Sequence, residues 1–97
     1  MAEEKLFENK VKAFLKSQNA WILKTWGGGF QRSGIPDLLC CVNGKFVAIE
    51  VKASKGKASE LQLYNIKKIK ESGGVAIVLY PKDFEEFKEM ILKLKED

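Results

Sequence analysis

Residues 34–52 read GIPDLLCCVNGKFVAIEVK. Two apolar runs flank Asn43-Gly44, a dipeptide that marks a two-residue hairpin turn, so the stretch predicts strands at about 37–42 and 45–52. Three charges interrupt that apolar pattern: Asp37, Glu50 and Lys52. Side chains alternate along a strand, so Glu50 and Lys52 share one face with Ala48, and Val51 points to the other. A tight turn at 43–44 sets a register in which Asp37 faces Glu50. Two carboxylates opposed across a hairpin repel unless a cation lies between them. Hard oxygen ligands suit magnesium or manganese, and the backbone carbonyl of Val51 is a further candidate ligand between the two charged side chains. Acid, acid and lysine around such an ion are the parts of metal-assisted phosphodiester hydrolysis. Asp37 and Glu50 would hold the metal, while Lys52 would orient the attacking water or stabilise the charge added at the phosphorane.

Composition bounds the reading. Ninety-seven residues suit one compact domain, 1–97, with 45% hydrophobic and 31% charged residues. A core of that size is modest, so an unpaired buried charge would cost a noticeable share of its stability. The net charge of +4 permits a polyanionic partner such as nucleic acid. There is no histidine, which excludes Ser-His and Cys-His nucleophiles, imidazole bases and the usual zinc sites. Cys40 and Cys41 are adjacent and point to opposite faces, so they read as small apolar residues of a reducing compartment. No apolar run reaches the length of a membrane span and the N-terminus is acidic, so the expected location is cytoplasmic, with no membrane partner.

Working outward from the hairpin, apolar residues at helical spacing predict a first helix over about 3–17, and AWILKT at 20–25 reads as a strand in which Trp21 packs into the core. A second helix is expected near 60–72, ended by Gly73-Gly74. VAIVLY at 75–80 is an apolar run expected to form a strand covered on both faces, parallel to 45–52 across a helical crossover. Pro81 and Asp83 open a last helix. The order α-β-β-β-α-β-α predicts an α/β fold, a mixed β-sheet flanked by helices. Glu50 and Lys52 then lie at the C-terminal end of a strand, where open α/β sheets tend to place ligands.

Pro36-Asp37, twelve intervening residues, then Glu50-Val51-Lys52 resembles the PD-(D/E)XK nuclease signature. GGGFQRSGIPDLL, FVAIEVKASKGKASELQ and ESGGVAIVLY extend the resemblance to the compact VRR-NUC branch over nearly the whole chain. The resemblance implies a restriction-endonuclease-like core, Mg2+ or Mn2+ as cofactor, and a structure-specific endodeoxyribonuclease. It also implies an acid from the first helix at the metal, matched by Glu8 with Glu4 one turn away as the competing choice, and a glutamine from the second helix, matched by Gln62, that would position a water or a phosphate. Short stand-alone members are similar to phage-type Holliday-junction resolvases that act as homodimers on branched DNA, in the host cytoplasm if phage-encoded. Flap cleavage, nicking or nonspecific DNA degradation with the same residues is the alternative, as is a non-catalytic DNA-binding module.

The loop WGGGFQRSG at 26–34 is either a flexible linker or a DNA contact. In the second reading Gly27, Gly28 and Gly29 let the backbone approach DNA, and Gln31, Arg32 and Ser33 meet phosphates. Lys55 and Lys57 would grip the DNA backbone from the turn beyond the site, or form a solvated basic turn. Trp26, beside the glycines, is open to stacking on bases.

Overall fold

The computed structural model describes residues 2–26 and 33–96. Helix α1 (Ala2–Ser17) leads into strand β1 (Trp21–Lys24), the hairpin β2 (Leu38–Val42) and β3 (Lys45–Val51), helix α2 (Glu60–Glu71), strand β4 (Val75–Leu79), a 3-10 turn (Pro81–Asp83) and helix α3 (Phe84–Glu96). The expected element order and fold class hold. The last helix differs at its start: Pro81 and Asp83 form the separate 3-10 turn, and α3 begins at Phe84. Proline has no N–H to give and its fixed φ suits a tight first turn.

The four strands lie in the order β1-β2-β3-β4. β1 and β3 run antiparallel to β2, and β4 runs parallel to β3. Asn43 (φ 51) and Gly44 (φ 80) both take left-handed backbone at the hairpin turn, the geometry that matches the twist of the strands it joins. The register is the expected one: Leu38 pairs with Ile49, so the next step places Asp37 at Glu50.

Alternation along the strands divides the apolar residues between two layers. Leu38, Cys40, Val42, Val47, Ile49, Val51 and Leu79 face α1 and α3, where Phe7, Val11, Leu15, Phe87 and Ile91 complete the main core. The opposite face carries Ala48 and Ala76, whose small side chains let Ile66 of α2 pack close. β4 is therefore covered on both faces although it stands at the edge of the sheet. Burial pushes the Cys40 thiol up to about 12, so it is an inert core residue, and Cys41 is exposed on the other face.

Trp21 departs from its expected core position and is 64% exposed. Its cross-strand partner is the exposed Cys41, and the α2 layer reaches β3 and β4 but leaves the β1 end of that face uncovered. None of the described helices is long and apolar enough to cross a membrane.

The approach to β2 is set by Gly34, at φ +79. Its carbonyl accepts a hydrogen bond from Asn65 Nδ2 of α2 (3.1 Å). A Cβ there would meet Leu61 Cγ at 2.6 Å and the Leu61 backbone at 3.0 Å, whereas a Cβ on Gly44 would meet nothing within 4 Å. Both positions carry the left-handed backbone penalty, but only Gly34 adds a collision. Gly34→Ala is expected to cost about 2–4 kcal/mol and Gly44→Ala about 1 kcal/mol, read as urea midpoints at constant slope. Equal losses would show that Gly34 does not pack against α2.

Candidate active site

The site begins with the backbone of the Pro36-Asp37 step. Thr25 N–H donates to the Asp37 carbonyl (2.8 Å), and Thr25 Oγ1 donates to the carbonyls of Pro36 (2.8 Å) and Asp37 (3.1 Å). These bonds pin Asp37 just before β2, which starts at Leu38, one residue later than expected. Its side chain then turns back on β3, where Asp37 Oδ2 accepts the Val51 N–H at 2.9 Å. Lys52 N–H donates to the Leu79 carbonyl of β4. Backbone groups alternate in direction along a strand, so those of Val51 face β2 instead. Continued two steps past Leu38–Ile49, the register sets Pro36 opposite Val51, and proline has no N–H to offer the Val51 carbonyl.

Glu50 is 2% exposed. Its Oε2 accepts from Gln62 Nε2 (3.0 Å) and lies 3.3 Å from Lys52 Nζ. Its buried Oε1 has no hydrogen-bond partner. Burial first, and then the neighbouring Asp37 charge, push the Glu50 carboxyl up to about 7, against the smaller opposing pull of Lys52. Removing a buried carboxylate from water is costly, and an orphaned oxygen adds to that cost. A hard cation is the chemical complement of this arrangement: two adjacent carboxylates, one bare buried oxygen and a nearby carbonyl without a ladder donor.

Gln62 is oriented by the start of its own helix. Ser59 N–H donates to Gln62 Oε1 (2.8 Å) and Gln62 N–H donates to Ser59 Oγ (3.1 Å), a reciprocal capping box. The amide oxygen is thereby committed to the cap, and the Nε2 end is left to reach Glu50. The Ser-x-x-Gln spacing at 59–62 was a readable signal for this, beyond the helix-forming character of glutamine alone.

Glu8, rather than Glu4, is the buried acid of α1 (4% exposed). It meets a cluster of lysines: Lys24 Nζ at 2.8 Å from Oε1, Lys12 Nζ at 3.4 Å and Lys5 Nζ at 3.8 Å from Oε2. Burial alone would raise its pKa, but the hydrogen bonds and charges of Lys24 and Lys12 outweigh it and hold Glu8 below the usual carboxylate range. Lys24 also stands 3.9 Å from Asp37 Oδ1. The expected grouping of Glu8 with Asp37 and Glu50 is thus interrupted by an ammonium. Among the described residues no three His, Cys, Asp or Glu side chains are gathered to hold one ion.

Asp37, Glu50, Val51, Lys52 and Gln62 are brought together, and Glu8 joins them through Lys24. Lys24 and Thr25 escaped the reading of the sequence. Lys24 carried a signal of the same kind as Glu50, a charge at the end of an apolar strand. Ser33 and Lys55 are exposed on turns, and Lys57 is exposed in the segment before α2. Gly28, Gln31 and Arg32, with Gly27 and Gly29, lie outside the described residues. Glu3 accepts hydrogen bonds from the N–H and Oγ of Ser54, tying the start of α1 to the turn after Lys52.

A β-hairpin, helix and parallel strand that carry two acids and a lysine at the end of a central strand define a nuclease scaffold of the PD-(D/E)XK-like class. The VRR-NUC domain model matches residues 2–83, so the chain belongs to the VRR-NUC domain family. Family membership implies nuclease activity, and with it DNA binding. Nucleases of this superfamily generally use divalent metals. A comparison with curated proteins found no match.

The raised Glu50 carboxyl makes stability depend on pH. A folded pKa of about 7, above the ordinary 4.5, favours the protonated form on folding. That stabilisation is full below pH 4.5 and is lost as pH rises through 7. In EDTA the stability of wild type relative to Glu50→Gln is expected to fall by on the order of 2–3 kcal/mol between pH 4.5 and 8. Parallel urea titrations of the two proteins check this, and a pH-independent gap would place Glu50 in a solvated setting.

Proposed function

We propose that the chain acts as a single nuclease domain, a Mg2+- or Mn2+-dependent endonuclease that hydrolyses phosphodiester bonds in branched DNA. In this reading it is a Holliday-junction resolvase working as a homodimer. The observation that carries the metal site is Glu50 Oε1, buried and without a partner beside a second carboxylate. Asp37, Glu50 and the Val51 carbonyl are the ligands in this reading. A bound divalent ion supplies Lewis-acid polarisation of a phosphate oxygen and lowers the pKa of a water.

The chain's own residues do the rest. Thr25 and the Val51 N–H hold Asp37 in one orientation, and Gln62 and Lys52 hold Glu50 from its other oxygen. Lys52, 14% exposed at its side chain, keeps an ammonium at the mouth of the site to steady the attacking water or the added negative charge of the phosphorane. Glu8 acts at the α1 side of the site. Gln62 is placed to position a water or a phosphate once a cation relieves its bond to Glu50. Ser33, Lys55 and Lys57 meet DNA phosphates, with Gly28, Gln31 and Arg32 of the preceding loop.

Support for a branched substrate comes from the resemblance to the VRR-NUC branch, whose members are associated with structure-specific DNA cleavage. Support for a dimer comes from the need for two incisions at a symmetric junction, against one site per chain.

Labelled four-way junction, linear duplex and flap, each with magnesium or EDTA, test the proposal. Magnesium-dependent paired nicks in the junction are expected, reduced about 100-fold or more in Asp37→Asn and Lys52→Ala. Equal cutting of linear duplex or flap would keep the nuclease and remove junction specificity. Folded protein that binds DNA but cuts nothing with either metal would leave a DNA-binding module.

A further inference from the structure

We infer that Lys24 is a built-in cation of the site: its ammonium holds the position between Glu8 and Asp37 that a second divalent ion would otherwise take, so each chain binds one divalent ion. This rests on the Asp37–Glu50 metal site proposed above. Glu8 is then a positioning residue, which acts through Lys24 and is not a ligand of the bound ion.

Distances and charge carry the inference. Lys24 Nζ is 2.8 Å from Glu8 Oε1 and 3.9 Å from Asp37 Oδ1, so one ammonium bridges the two acids. Lys12 and Lys5 add two more positive charges on the other Glu8 oxygen, at 3.4 and 3.8 Å. A divalent ion placed there would have to expel Lys24 and then sit against Lys12, and repulsion between charges a few ångströms apart is substantial at a partly buried site. The Glu50 side differs. Its Oε1 is buried without a hydrogen bond while the Lys52 ammonium approaches Oε2, whereas the Glu8 oxygen that also lacks a hydrogen bond, Oε2, has the ammonium groups of Lys12 and Lys5 beside it. The site thus has one position short of positive charge and one already filled.

The backbone that carries Lys24 is held in place. Lys24 ends β1 with its backbone paired to Leu38, and Thr25, the next residue, is tied to the Asp37 backbone. Its side chain remains 25% exposed. A phosphodiester approaching the Asp37–Glu50 pair therefore meets an ammonium on each side, Lys24 by Asp37 and Lys52 by Glu50. A second metal ion would serve the same electrostatic purpose in the transition state.

Manganese bound per chain, counted by electron paramagnetic resonance of the free ion, tests this without any turnover. Wild type is expected to bind one Mn2+ and Lys24→Gln two. Adding Glu8→Gln to Lys24→Gln should return the count to one, because Glu8 is a ligand of the ion gained. Lys24→Arg, which keeps the charge, should bind one. Lys24→Met repeats the neutral substitution without the amide, and circular dichroism melts establish that each variant is folded. Two ions in wild type, or one in wild type and in both neutral variants, would overturn the inference while leaving the metal site standing; the second result would reduce Lys24–Glu8 to a structural ion pair. No Mn2+ bound by wild type would remove the metal site and this inference together. One ion in wild type that is lost in Asp37→Asn supports the site on which the inference rests.

Discussion

Asp37 and Glu50 sit side by side where a buried hairpin ends, and two carboxylates in that position repel each other unless positive charge or a proton accompanies them. Much of the local structure answers this one constraint. The Val51 N–H takes one Asp37 oxygen, Gln62 and Lys52 take one Glu50 oxygen, and Lys24 stands at the far side of Asp37. What these contacts leave on the pair is Glu50 Oε1, buried and without a hydrogen bond among the described residues. The protein lowers the cost of the pair without cancelling it, and the remainder is what a cation can relieve.

The two buried acids are set apart by their surroundings. Glu50 is pushed up by burial and by Asp37, while Glu8, also buried, is held down by lysines. Chemically identical groups are thereby shifted in opposite directions. The charge of Glu8 is balanced from within the chain, by Lys24, Lys12 and Lys5.

Rigidity at the site comes from contacts between elements far apart in sequence. Thr25 clamps the Pro36-Asp37 step from β1, the capping box of α2 aims Gln62, and Gly34 lets α2 sit close against the entry to β2. Each uses a local preference, such as an Asn-Gly turn, an N-cap serine or a glycine at positive φ, to place a side chain in a neighbouring element. Sites held in this way keep their geometry without the bound group, which limits the reorganisation needed on binding.

The amino-acid sequence by itself determined the strands, the hairpin register and the pairing of Asp37 with Glu50. Those follow from a period of two and from a two-residue turn, both local properties. It also showed, through the PD and EVK residues and the stretches around them, the family to which the chain belongs. Tertiary structure alone decided that Glu8 and not Glu4 turns inward, that Lys24 intervenes between Glu8 and Asp37, and that Trp21 lies outside the core. Each of those depends on how α1, β1 and α2 pack across the sheet. The helical stripe of α1 contains both glutamates, and the alternation of β1 is blind to how far α2 extends over its face. Short-range periodicity says which residues share a face, but the charge that meets each carboxylate is set by elements brought together from distant parts of the chain.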